Sequence, residues 1–395
     1  MNSNSLCLAC HDRGMEGTLA GLTQRQVGAG VRGCPRLPAS VPAGVGGATA
    51  IMAPSSQARL PFAAGVTLAT FRTPAGVAVA DLAWSPDSRL LAYCTAGEIP
   101  DLRVCDTGSQ KTLVLYQNEA VDALSVFGWF VSGTSLVSFL GLSRGLLPVL
   151  TPANGRGLAH YGVGPGSGIS LPHYSFAWSP DGRRLAVAGK TQVVVIEGSC
   201  GQILAVYPQQ PPPGGQPSYI VAWSPDGQTL ASAGRRHAVQ LWEAATGRSW
   251  QYFPEQGQAI AAAWSPDGRA LAYMVGWDMV RCAGSALPLP VRIIVREVET
   301  GRQLLVLQGR FLVDLGRLGP VVYPHSLAWS PDSRYLATAG QGAEVQVWEV
   351  GSQRLALSYR KHQATVLAVA WSPDGRWIAS GGRDGTVRVW RAPGC

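Results

Sequence analysis

The chain has 395 residues, 46% of them apolar, and a formal net charge of +8, which is enough apolar content to bury a large core. Nearly all the positive charge is arginine, with lysine only at Lys111, Lys190 and Lys361; it alternates with acid instead of forming a basic stripe with interleaved aromatics, which argues against a nucleic-acid partner. The eight cysteines (Cys7, Cys10, Cys34, Cys94, Cys105, Cys200, Cys282 and Cys395) are scattered, imply no disulfide framework and fit a reducing, cytoplasmic setting.

Residues 1–60 contain no repeat and are rich in Gly, Ala, Pro and Ser, so a disordered tail is expected there. Met1 to Cys10 lack a basic start and a long apolar stretch, which predicts no secretory signal. Cys7-Leu8-Ala9-Cys10-His11 has the spacing of c-type haem attachment. A haem would need a pocket that this short, Gly-rich tail does not build, and Met15 lies too close to His11 to reach the opposite iron face. Neither haem nor zinc through Cys7, Cys10, His11 and Cys34 is therefore expected. A translation start at Met52 would remove the motif and leave everything that follows intact.

From residue 61 the chain becomes periodic. Ala-Trp-Ser-Pro-Asp followed by Gly or Ser begins at Ala83, Ala177, Ala222, Ala263, Ala328 and Ala370. Neighbouring tryptophans of the phrase lie 41 to 65 residues apart, save for one double gap between Trp84 and Trp178. Trp129 fills that gap: laid over Trp371, it puts Gly133 on Gly375, Leu136 on Ile378 and Ser138 on Ser380. Such a period with short strands marks propeller blades, here seven. Within each unit an apolar strand such as Val366–Ala370 leads into turn chemistry, in which Pro presets φ, Asp bonds the backbone ahead and Gly takes the left-handed position. A second apolar strand returns. The third strand ends in Trp242, Trp348 and Trp390 in three units, each 19 positions after the first tryptophan. A Gly-containing turn and an outer strand, such as Leu304–Leu307, complete the unit.

The last unit runs out at Trp390 with three strands of its own, while Val66–Phe71 precedes the first unit without a hairpin partner. That segment is expected to supply the missing outer strand, joining the chain ends in one sheet and removing open edges. Ala123 to Leu142 is uncharged and near the length of a membrane span. It overlays the blade hairpin in register, so no span is expected.

The alternation of a Ser-Pro-Asp-Gly hairpin with a strand ending Val-Trp or Leu-Trp resembles the WD-repeat β-propeller family over residues 61–395. TolB-like propellers also repeat Ser-Pro-Asp-Gly, but the third-strand tryptophans favour the WD-repeat likeness. The resemblance implies an all-β fold of seven four-stranded antiparallel blades, closed by the N-terminal strand. It also implies a buried hydrogen-bonded set of His, strand Ser or Thr, turn Asp and Trp. Only the last unit matches that set, with His362, Ser380, Asp384 and Trp390, and Gly382 stands where the pattern offers a second serine.

No catalytic constellation stands out. His160, His173, His237 and His325 are remote from nucleophile motifs, and no phosphate-cradling loop opens a helix. Chain length is instead inserted at Gly155–Tyr174, Pro208–Ser218, Val275–Leu289 and Gly309–His325, all on the face opposite the hairpin turns in the family's geometry. Loops of this kind often carry binding residues, and Trp277, Arg281, Phe311 and Arg317 suit interface anchors. The expectation is a non-catalytic platform for other proteins or peptides, a monomeric propeller within a complex, with no cofactor, metal, nucleic acid or membrane. The rival readings are a redox protein with haem on the tail, or a propeller enzyme with a site at the channel mouth.

Overall fold

A computed structural model describes residues 63–95, 101–117, 124–129, 136–140, 146–150, 157–162, 176–188, 192–197, 203–208, 218–234, 239–255, 257–276, 289–311, 327–339 and 342–394. Residues 1–62, including Cys7, Cys10, His11 and Cys34, lie outside them. The described residues are all-β and form seven four-stranded antiparallel sheets, of the kind that make propeller blades. Six are consecutive in sequence, spanning 79–117, 124–162, 176–208, 218–253, 258–311 and 327–359; the seventh joins 366–391 to the strand Thr67–Arg72. They are called the first to seventh sheets below.

Local chemistry shapes the described hairpin turns. In the first sheet the Ser85 hydroxyl donates to the Asp87 carboxylate at 2.6 Å and accepts from the Leu90 N–H at 2.8 Å, while the Arg89 N–H donates to the same carboxylate at 3.1 Å. The same bonds recur around Asp181, Asp267, Asp332 and Asp374. The sequence pairing of Arg with Asp thus serves mainly the arginine backbone. Within these turns the side chains approach only as Arg376 and Asp374, at 3.9 Å.

Gly182, Gly227, Gly268 and Gly375 take the left-handed backbone that ends the turn. Where the phrase has serine instead, Ser88 and Ser333 adopt φ of 60°, a conformation side chains resist. Each has a compensating bond to another sheet: Ser88 Oγ accepts from the Asp374 N–H at 2.9 Å, and Ser333 Oγ from the Asp267 N–H at 3.1 Å.

Sheet-to-sheet packing repeats as regularly. The indole N–H of Trp84 donates to the Ala370 carbonyl, Trp223 to Ala177, Trp264 to Ala222 and Trp329 to Ala263, at 2.9–3.3 Å. First strands pack on one another from the third sheet through to the seventh, from the seventh to the first, and from the first to the second. Farther out, an aromatic on one outer strand stacks on the third-strand tryptophan of the next sheet: Tyr359 on Trp390, with centroids 4.4 Å apart, and Tyr207 on Trp242 at 6.2 Å.

Two third-strand tryptophans differ in one bond. Trp242 Nε1 donates to Ser232 Oγ at 2.8 Å, whereas the buried Trp348 Nε1 has no hydrogen-bond partner. Removing a buried donor that is already unpaired costs little, while losing a formed hydrogen bond costs about 0.5–1.5 kcal/mol. Trp242→Phe should therefore be destabilised by that amount in urea titration, and Trp348→Phe should match the parent or exceed it.

The N-terminal segment pairs antiparallel with the last strand, Phe71 opposite Val387 and Thr67 opposite Trp390. The uncharged stretch near residue 130 supplies the strands Leu124–Trp129 and Leu136–Leu140, and no helix among the described residues is long and apolar enough to cross a membrane. Cys94 and Cys105 are free and buried. They are not opposed: Cys94 faces Leu102 and Cys105 faces Leu91 across the ladder.

Candidate functional site

Several expected loops are shorter than their sequence bounds, because strand alternation runs farther than the repeat phrase predicts. Gly157–Gly162 is the outer strand of the second sheet. Pro208 and Ser218 belong to strands. In the fifth sheet the strands Ala270–Gly276, Leu289–Glu297 and Gln303–Phe311 take up both ends of the segment assigned to the first loop, and the start of the second. Val291, Ile293 and Val295 alternate into the core and carry the strand outward.

Phe311 is therefore a strand residue, opposite Leu289, and not a loop residue as expected. Trp277, Arg281 and Arg317 lie outside the described residues, as do His173, His237 and His325. The roots of the two segments that hold those three anchors are well placed. Gly276 pairs with Val291 and Leu289 with Phe311, so the chain leaves for 277–288 and for 312–326 from one end of one sheet.

The fifth sheet also holds a polar cluster that the sequence did not signal. Arg296 occupies the third-strand position held by Trp242, Trp348 and Trp390 in other sheets. Its guanidinium lies 5.4 Å over the Phe253 ring, as Trp242 and Trp390 lie over tyrosines. It donates to Tyr273 Oη at 2.6 Å, Glu255 at 2.9 Å and the Gly301 carbonyl at 2.8 Å. The Tyr273 hydroxyl donates onward to Glu255 at 2.6 Å, and burial pushes its phenol well above the usual range. A buried acid beside a buried guanidinium and phenol is satisfied on every side, so this cluster braces the sheet junction.

In the seventh sheet His362, Ser380, Asp384 and Trp390 come together in one chain of bonds. Trp390 Nε1 donates to Ser380 Oγ at 3.1 Å, and Ser380 lies 2.8 Å from His362 Nε2. His362 Nδ1 lies 3.0 Å from Asp384 Oδ2. One tautomer satisfies all of this: Nδ1–H donates to the carboxylate and Nε2 accepts from the serine. Thr386 is a fifth member that sequence reading missed, its hydroxyl donating to Asp384 at 2.7 Å. Burial lowers the His362 pKa against the pull of Asp384, so the pair is a hydrogen bond to neutral imidazole. Burial works to raise the Asp384 carboxyl, but bonds from the Gln363 and Thr386 N–H groups and the Thr386 hydroxyl hold it below its ordinary value. A side chain at Gly382 would be crowded, since a Cβ there would lie 3.2 Å from both His362 Nδ1 and Asp384.

Among the described residues no group of three His, Cys, Asp or Glu side chains could hold a metal. Burial raises the Cys94 and Cys105 thiols above their usual range, which leaves them protonated and poor nucleophiles.

The family model of the WD domain, G-beta repeat, matches the chain at 218–243, 319–349 and 353–391. The chain carries WD repeats at these three positions. A search of curated proteins finds no match. The last matched repeat of this WD-repeat protein contains the whole hydrogen-bonded set from His362 to Trp390. The strand that carries Arg296 in place of tryptophan falls between matches.

Proposed function

We propose that this WD-repeat protein is a non-catalytic scaffold, a closed seven-bladed propeller that presents loops to another protein or peptide from the face opposite its hairpin turns. WD40 repeats generally serve protein–protein association, and one fold hosts many roles, so the working surface has to be argued from this chain. Six sheet-to-sheet junctions are described, the seventh sheet packing on the first among them; packing of the second sheet on the third would complete the ring. The N-terminal strand in the last sheet suits that closure, because it ties the two chain ends together.

The observation that carries the binding face is the common origin of 277–288 and 312–326 at one end of the fifth sheet. Long strands braced by the Glu255–Arg296 cluster give both segments a rigid base, which lowers the ordering cost of binding. Trp277, Arg281, Phe311 and Arg317 are the proposed anchors. The protein acts in the cytoplasm, as a single propeller within a complex.

Crosslinking and affinity capture from the native cell would supply the partner. Against it, Trp277→Ala or Arg281→Ala should weaken binding by about 1–4 kcal/mol with the melting temperature unchanged. Arg89→Ala, on the hairpin-turn rim, should leave affinity unchanged. Loss of binding through Arg89 with retention in Trp277→Ala would reject this face.

A further inference from the structure

A second surface lies at the opposite end of the sheets, independent of the loop face. In the described hairpins the position two residues beyond the turn lies toward the first-strand tryptophan of the next sheet. At two junctions a large side chain covers that ring, and at a third it packs on the cluster that holds it. Arg184 places its guanidinium 4.6 Å over Trp223 and donates to the Gly227 carbonyl at 3.0 Å. Tyr335 stacks on Trp371 with centroids 6.2 Å apart, and Trp377 packs on the cluster that holds Trp84.

Between the fourth and fifth sheets the position is Thr229, too small to cover Trp264. Trp84, Trp223, Trp329 and Trp371 are all buried, at 6–8% exposure, while Trp264 is only partly buried. Ala270 is also small, but Trp329 beyond it is buried at 7% exposure, whereas Trp264, though packed on its own core cluster, is only partly buried. The fourth-to-fifth junction thus combines a small residue here with a groove. That groove has a volume of about 770 Å³ and is lined by Thr229, Trp264 and Trp250, and Trp250 is 45% exposed.

We infer that this groove binds an arginine side chain of a partner peptide, between Trp250 and Trp264, in the place that Arg184 fills one junction away. The surroundings are equivalent. A Cβ at Gly268 would lie 4.0 Å from Pro225, as one at Gly227 would lie 3.6 Å from Pro180, so the Gly268 carbonyl takes the place of the Gly227 acceptor. The charges are complementary as well. Asp226, Asp267, Glu297 and Glu299 line the groove against Arg269 alone, in a protein whose net charge is +8. Glu297 is partly engaged by Arg302 at 3.4 Å; among the described residues Asp226 bonds only within its own turn, and the Glu299 carboxylate has no ion pair. A planar guanidinium stacks on indole and reaches a carbonyl and a carboxylate together, which an ammonium does not.

The test uses the full chain and fluorescently labelled peptides with arginine at the centre of a Gly/Ser sequence, beside citrulline and lysine counterparts. Anisotropy should show the arginine peptide binding at least about tenfold more tightly than the citrulline peptide, with lysine weaker than arginine. Thr229→Arg should fill the groove from within, abolishing peptide binding while the melting temperature holds or rises. Trp250→Ala, at an exposed position, should weaken arginine binding by about tenfold or more. Equal binding of arginine and citrulline peptides, no saturable binding up to about 1 mM, or unchanged affinity in both variants would overturn the assignment.

Discussion

A chain beginning at Thr73, without the strand Thr67–Arg72, should lose its cooperative unfolding transition or melt at least about 10 °C lower than one beginning at residue 61. The strand buries Ala69 and Phe71 at 3% and 8% exposure and covers the ladder of Thr386–Arg391. It is held at both ends. Gly65 N–H donates to the Arg391 carbonyl at 2.8 Å, and Thr73 donates to the Gly385 carbonyl through its N–H at 2.9 Å. Thr67 Oγ1 also bonds Tyr359 Oη at 2.8 Å, beside the ring stacked on Trp390. Removing it uncovers an apolar edge strand, which invites aggregation. Phe71→Ala should reproduce about 3–5 kcal/mol of the loss. A peptide of residues 63–73 added in trans should restore part of the midpoint, since its contacts lie within the strand itself. A truncated chain melting within about 2 °C of the longer one would reject the proposed ring closure.

His362→Ala should be the costliest point change in the polar set. It leaves the Ser380 O–H without its acceptor and takes one bond from the Asp384 carboxylate, and a buried donor left unpaired costs about 1–3 kcal/mol. The neighbouring exposed Lys361→Ala should stay within about 0.5 kcal/mol. The effect also has a pH signature. Burial holds the His362 pKa below its ordinary 6.5, so on acidification the unfolded chain takes up this proton before the folded one does. The contribution is complete above pH 6.5 and declines as pH falls from there toward the folded value. In urea titrations the gap between parent and His362→Ala should be widest near pH 7.5 and narrower near pH 5.5. A constant gap across that range would show that the imidazole is not held neutral.

Repeat count, strand order within each sheet and hairpin chemistry were legible in the amino-acid sequence because they are local. Ser-Pro-Asp-Gly closes its turn with atoms no more than five residues apart, such as Ser179 Oγ with the Arg184 N–H, so the phrase carries its own structure. The pairing of Thr67–Arg72 with the last strand is long-range, yet counting strands against the period exposed it, because one unit was short by a strand. What lay between sheets was not legible. The turn from Glu297 to Gly301 matches that from Glu243 to Gly247 and so puts Arg296 in a tryptophan's place, but nothing nearby signals that it lies over Phe253, or that Glu255, 41 residues away, receives it. The reach of the fifth-sheet strands past Gly276 and back to Leu289 depended on mutual pairing across the sheet, which moved Phe311 from loop to strand. The uncovered face of Trp264 follows from Thr229, 35 positions earlier and ordinary in its own strand. Which ring a side chain covers is decided by how one sheet lies on the next, and only the tertiary structure brings those two positions together.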